Sequence, residues 1–250
     1  MITINTIDDV IKTLQDIIDE SIKNKSPLGY FAALYKKVTI KVKEGIANNI
    51  FDDGPRMEKL DIIFAKRYID AYYSFQKNKP ISNAWKEAFD LANNYWPTVL
   101  QHLLIGMNAH INLDLGIAAA EVSKGQDIEN LKDDFNKINT VLSSLVMDVE
   151  NDLSKIWPFL KKILKLTKKA DDFLIDFSMK KARDEAWDFA VKLSNTKASK
   201  IEEAIKLKDK GTSEIASLIT NPGIIPSFIF VCIRIGEKGS IVQKISDLID

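Results

Sequence analysis

The chain has 250 residues, 35 basic side chains against 35 acidic ones, and 46% hydrophobic residues that include 12 Phe, 4 Trp and 6 Tyr. That length suits one compact unit with a substantial core. The charge balance argues against nucleic acid as the main partner, since such domains carry a basic excess. A single cysteine, Cys232, excludes an intrachain disulfide and a Cys-rich zinc site.

The opening residues, Met1 to Thr6, lack the basic start and apolar core of a signal peptide. The longest apolar run, Ile224 to Ile235, contains Pro226 and Arg234. It falls short of the ~20 residues needed to span a bilayer, so no membrane role is expected. The expectation is a reduced, cytoplasmic protein.

With only 10 Gly and 7 Pro, few places exist to turn a sheet, and apolar residues recur at helical spacing. The fold is therefore expected to be all-α, a single compact domain over 1–250 of about nine or ten helices. Thr6 with Asp9 forms an acidic capping box before a first helix carrying Ile7, Val10, Leu14, Ile17 and Ile18 on one face. Ser26-Pro27-Leu28-Gly29 ends it. A second helix runs from about Tyr30 to Asn49, although residues 38–42 alternate like a strand. Asp52 or Asp53 caps a third helix, Pro55 fits its first turn, and it ends near Lys77. Ser82 caps a fourth, about Asn83 to Asn94. Trp96-Pro97 leads into a central helix, about Pro97 to Lys124, stopped by Gly125.

Beyond it, Asp127 to about Glu150 is amphipathic. Lys161 to Lys169 is a short basic run with the character of a solvated face. A helix from about Ala170 to Leu193 carries Asp172, Asp176, Arg183 and Trp187. A charged helix covers about Ser199 to Ile219, and Asn221-Pro222-Gly223 turns the chain. The tail holds one apolar and one amphipathic helix divided near Gly236.

The central helix is the most informative stretch. It is apolar enough to be buried, yet it holds both histidines of the chain, His102 and His110, together with Asn108, Asn112 and Asp114. Such groups cost several kcal/mol to bury without partners. At helical spacing His110, Asp114 and Glu121 fall within about 40° of one another, and Asn108 and Asn112 share another face. His102 lies about 12 Å along the axis from His110, too far for one shared ion. His110 and Asp114 can work as a proton-transfer pair or as two ligands of a divalent metal in a helical core. In that reading His102 completes the catalytic set, Asn108, Asn112 and Tyr68 orient a small-molecule substrate, and Arg56 or Arg183 holds an anionic group. The competing reading is a structural network in which these groups satisfy one another, in a ligand-binding or interaction protein without catalysis.

The acidic turn Asp52-Asp53-Gly54-Pro55-Arg56-Met57-Glu58, with Asp61 one turn on, reads first as a capped helix start. The sharper reading is Mg²⁺ bound by Asp52, Asp53 and Glu58, and Asp52, Asp53 and Asp61 also stand with His110 and Asp114 as candidate metal ligands. An acidic motif in an all-helical chain is similar to that of class I terpene cyclases. Their second metal motif is not matched after Asn151-Asp152, where Ser154 stands one place early and Phe159 or Leu160 replaces the required Glu. No P-loop, G-x-S-x-G, H-E-x-x-H or C-x-x-C motif is present.

Two stretches carry a more specific likeness: Phe51-Asp-Asp-Gly-Pro-Arg-Met-Glu-Lys-Leu-Asp61, and Leu100-Gln-His-Leu-Leu-Ile-Gly-Met-Asn-Ala-His-Ile-Asn-Leu-Asp-Leu-Gly116. Together they resemble a bacterial family of all-helical proteins grouped as a domain of unknown function. The resemblance implies one helical domain and points to these two stretches, without assigning catalytic roles.

Overall fold

In the computed structural model, which describes residues 3–159 and 179–249, the chain is all helical, with no strand among those residues. The basic run 161–169 and the acidic positions Asp172 and Asp176 lie outside the described residues.

Helix α1 (Ile7–Asn24) begins with the capping box: Asp9 N–H donates to the Thr6 hydroxyl, and Asp9 Oδ2 accepts from the Thr6 amide at 3.0 Å. Its apolar stripe, Val10, Leu14, Ile17 and Ile18, is fully buried. Each such side chain contributes roughly 1.5–3 kcal/mol of burial. The stripe packs on α2 (Gly29–Ala47). The strand-like alternation at 38–42 is helical, because Tyr35, Thr39 and Val42 need the α-period to share one buried face.

Helix α3 (Gly54–Gln76) is capped by Asp53, which accepts the Arg56 amide at 2.9 Å, with Pro55 in the first turn. Helix α4 (Asn83–Asp90), followed by a 3₁₀ turn at Leu91–Asn93, has two caps. Ser82 accepts the Trp85 amide, and the Asp209 carboxylate takes the Asn83 and Ala84 amides at 2.8 and 2.9 Å.

The central helix, α5 (Val99–Val122), packs against α2, α3 and α4 and against two helices that follow later in the chain. By length and composition alone it could cross a membrane, but 89% of its apolar window is buried inside the bundle, as a core helix requires. It is not a uniform α-helix. Val99–Met107 and Gly116–Val122 are α-helical, and Asn108–Leu115 between them is a π-helix. Hydrogen bonds i→i+5 widen such a turn, so the angular bookkeeping of a regular helix fails there. The two flanking glycines explain how the widened segment stays packed. A Cβ on Gly106 would lie 2.5 Å from the Phe31 ring, and one on Gly116 would lie 2.7 Å from the Ala186 carbonyl oxygen.

A 3₁₀ turn at Ile128–Leu131 leads into α6 (Lys132–Ile156), six residues longer at its end than the amphipathic pattern indicates. Helices α7 (Met179–Ser194), α8 (Ala198–Thr220), α9 (Ile224–Gly236) and α10 (Ile241–Ile249) complete the described bundle. The described residues thus form ten helices, with α5 counted as one.

Candidate functional site

The π-helical turn faces an apolar cavity of about 340 Å³. Its walls come from Phe31, Leu34 and Val38 of α2, Met57, Leu60 and Phe64 of α3, Leu103, Met107 and Ile111 of α5, and Ile138, Leu142 and Leu145 of α6. The polar groups on this wall are few: Tyr35, Asp61, His110, Glu150 and Arg183.

Three of them are buried and unanswered. Tyr35 Oη, Asp61 Oδ2 and both His110 ring nitrogens have no hydrogen-bond partner among the described residues. Leaving a buried polar group unsatisfied costs about 1–3 kcal/mol, so three in one place need a physical reason. They are neighbours. The Tyr35 and His110 rings meet edge to face at 4.4 Å, and the negative charge of Asp61 reaches the Tyr35 hydroxyl. Burial, then the nearby charge of Glu58, pushes the Asp61 carboxyl up to about 7. Burial pushes the His110 imidazolium down, outweighing the opposing pull of Asp114, so the ring is neutral near pH 7. Burial first, then Asp61 and Asp114, raises the Tyr35 phenol well above its ordinary value.

Asp114 has a different occupation. Its Oδ1 accepts from Arg67 Nε at 2.6 Å and its Oδ2 from Trp85 Nε1 at 2.7 Å. His110 Nδ1 stays 3.6 Å from Asp114 Oδ2, beyond a hydrogen bond. The carboxylate thus ties α5 to α3 and α4. The expected His110–Asp114 pair is close in space, but the acid is committed elsewhere.

Asn108 and Asn112 also tie helices. Asn108 Nδ2 donates to the Thr212 carbonyl at 2.8 Å, and Asn112 Nδ2 donates to Asn108 Oδ1 at 2.9 Å. Tyr68 is fully buried, its hydroxyl without a partner, among Phe31, Trp85 and His110. His102 lies in a separate cleft with Tyr30, Arg234 and Lys244. Burial, then Arg234 and Lys244, lowers its imidazolium to about 3.

The acidic turn is held by a residue that sequence reasoning missed. Asp134 of α6 accepts the Asp52 and Asp53 amides at 2.7 and 2.9 Å, and pairs with Arg56 at 3.2 Å. Lys137 bridges to Asp52 at 2.5 Å. Burial pushes the Asp134 carboxyl up, but the two amides, Arg56 and Lys137 together bring it below its ordinary value. Asp52 and Asp53 therefore sit at a helix start among cations, Asp61 faces the cavity, and His110 and Asp114 lie on the π-turn. These five do not converge, and no group of three or more His, Cys, Asp or Glu able to hold a metal ion exists among the described residues. Arg56 is spent on this turn. Arg183 reaches the cavity, but Nε donates to Asn139 Oδ1 at 2.9 Å and Nη2 to the Phe135 carbonyl at 2.5 Å.

Residues 7–222 match a family of unknown function, DUF5995. The chain belongs to that family. No curated protein and no solved structure matches it. Membership in DUF5995 assigns no activity, so the chemistry of this member rests on the cavity itself. The signal that could have exposed Tyr35 and Phe64 is weak: both sit on helical stripes that read equally well as plain core.

Proposed function

We propose that the protein binds a small, largely apolar molecule in the cavity behind α5, with the polar end of that molecule read by Tyr35, Asp61 and His110. One observation carries this reading: three buried side chains with polar atoms that no protein group meets in hydrogen-bond geometry share the wall of an otherwise apolar space. A volume of about 340 Å³ falls in the range of small-molecule sites. The site offers a donor and acceptor at the Tyr35 hydroxyl, one of each on the neutral His110 ring, and an acid whose proton is easily gained or lost. The test is thermal unfolding with added 1-octanol. A specific ligand raises the melting temperature, by about 2.7 kcal/mol of stabilisation at one hundred times its Kd. Ile111→Trp, which fills the space, should abolish the shift. An unchanged shift in that variant would sink the reading.

An enzymatic version has its own support. A carboxyl group pushed up to about 7, in an apolar cavity that a neutral imidazole also lines, suits general acid–base work. Proton transfer then belongs to Asp61 with His110, since Asp114 is committed to Arg67 and Trp85. Its test is deuterium uptake from heavy water at the α-carbons of 2-octanone, expected with the native chain and absent with Asp61→Asn. Equal uptake in both would remove it.

A further inference from the structure

We propose that the cavity prefers an apolar amine, its ammonium group held by the Asp61 carboxylate among the rings of Tyr35, Phe64 and His110. This rests on the binding role proposed above and adds the charge of the ligand head.

Asp61 lies in the cavity wall. Its side chain is buried, at 7% exposure, and Oδ2 has no partner among the described residues. The groups whose charge couples to it are Glu58 on its own helix and Tyr35 on α2, and His110 and Glu150 share the cavity wall. None is a cation near neutral pH. The nearest guanidinium groups are engaged: Arg67 by Asp114, and Arg56 by Asp134 and Asp53. Across the cavity, Arg183 is held by Asn139 and the Phe135 carbonyl, with its guanidinium 4.5 Å over the Phe135 ring.

Aromatic rings line the same cavity. Phe64 stacks on His110 at 3.5 Å between centroids, and Tyr35 and Phe31 meet the same imidazole edge to face. Ring faces attract cations, most strongly where water is excluded. A buried carboxylate without a counter-cation is costly, and a ligand ammonium removes that cost while its alkyl part covers Leu34, Ile138 and Leu142. A ligand carboxylate would instead bring a second negative charge toward Asp61. An alcohol would satisfy Oδ2 but leave the charge uncompensated.

The experiment is calorimetric titration of the intact chain at pH 8 with octylamine, 1-octanol and octanoate. Octylamine is expected to bind about tenfold tighter than octanol, the advantage of a charge-assisted contact, with octanoate weakest. Asp61→Asn should bring octylamine to the level of octanol measured on the same variant, with its melting curve confirming its fold. At pH 6.5 octylamine binding should also release protons, read as a heat that changes between phosphate and imidazole buffers. Octanoate binding as tightly as octylamine would overturn the amine assignment and favour Arg183 as the anchor. An octylamine advantage that survives Asp61→Asn would overturn it as well. In both cases octanol binding would leave the cavity reading standing. Failure of all three ligands to bind, or binding unaffected by Ile111→Trp, would overturn the cavity reading and the amine preference with it.

Discussion

His110 lies flat against Phe64, with 3.5 Å between ring centroids and 6° between planes. That stacking fixes the imidazole in the cavity wall without any hydrogen bond, so the ring is held by packing and its two nitrogens remain available. His110→Phe should accordingly keep or slightly raise the melting temperature, because it removes two buried polar atoms without partners. Asp114→Ala should cost about 2–3 kcal/mol, since it leaves Arg67 and the Trp85 indole N–H unanswered. Denaturant unfolding of the two variants would decide it. A larger loss in His110→Phe than in Asp114→Ala would mean that the histidine carries the network.

The Asp61 carboxyl makes stability depend on pH in an unusual direction. Its folded value of about 7 lies above the ordinary 3.8. The folded state therefore binds more protons between those limits, and stability falls as pH rises from about 4 to about 7. Asp61→Asn should remove that dependence, so the variant should gain on the native chain progressively across this window and stay ahead above it. Paired unfolding curves at pH 4.5, 6 and 8 give the difference. A constant difference across the three would count against a buried, uncompensated acid.

His102 acts in the opposite sense. Its folded value of about 3 is below the ordinary 6.5, so the unfolded state binds the extra proton and stability is lost as pH falls from about 6.5 toward 3. His102→Gln should flatten this acid limb and leave the stability at pH 8 within about 1 kcal/mol of the native chain. An unchanged acid limb would place the titrating group elsewhere.

The acidic turn should ignore divalent cations. Asp134→Ala should cost about 2–3 kcal/mol, because it strands the Asp52 and Asp53 amides and unpairs Arg56. Asp52→Ala, at a site whose side chain is 68% exposed, should cost under about 1 kcal/mol. Millimolar Mg²⁺ or EDTA should leave the melting temperature where it was. A rise of several degrees with Mg²⁺, lost in Asp52→Ala, would restore a metal role.

The glycines around the π-turn should be intolerant of a methyl group. Gly116→Ala meets a backbone carbonyl that cannot swing away, whereas Gly106→Ala meets the Phe31 side chain. Both should destabilise by about 1–3 kcal/mol, Gly116→Ala the more, and only Gly106→Ala should also alter cavity binding, because Phe31 lines that space. Equal tolerance at the two positions would argue against close packing of the π-turn.

The site was half legible before any coordinates. His110 stood out because an imidazole in an apolar helix is costly wherever it packs. Asp61 was visible only as part of an acidic run and so read as a metal ligand, while Tyr35 and Phe64 were indistinguishable from core aromatics. Asp114 looked like the partner of His110 because four residues separate them. The contacts that claim it come from Arg67 and Trp85, 47 and 29 residues away, and local spacing carries no information about them.

The sequence by itself determined most of the helices, the caps at Thr6 and Ser82 and the burial of the central helix, because those capping hydrogen bonds and the apolar period are local properties of neighbouring residues. Tertiary structure alone decided the π-turn, the pairing of Asp134 with the acidic turn, and which polar groups of the wall stay unanswered. Those outcomes depend on how closely distant helices approach, and that distance is set by whole packed surfaces rather than by any one stretch of chain.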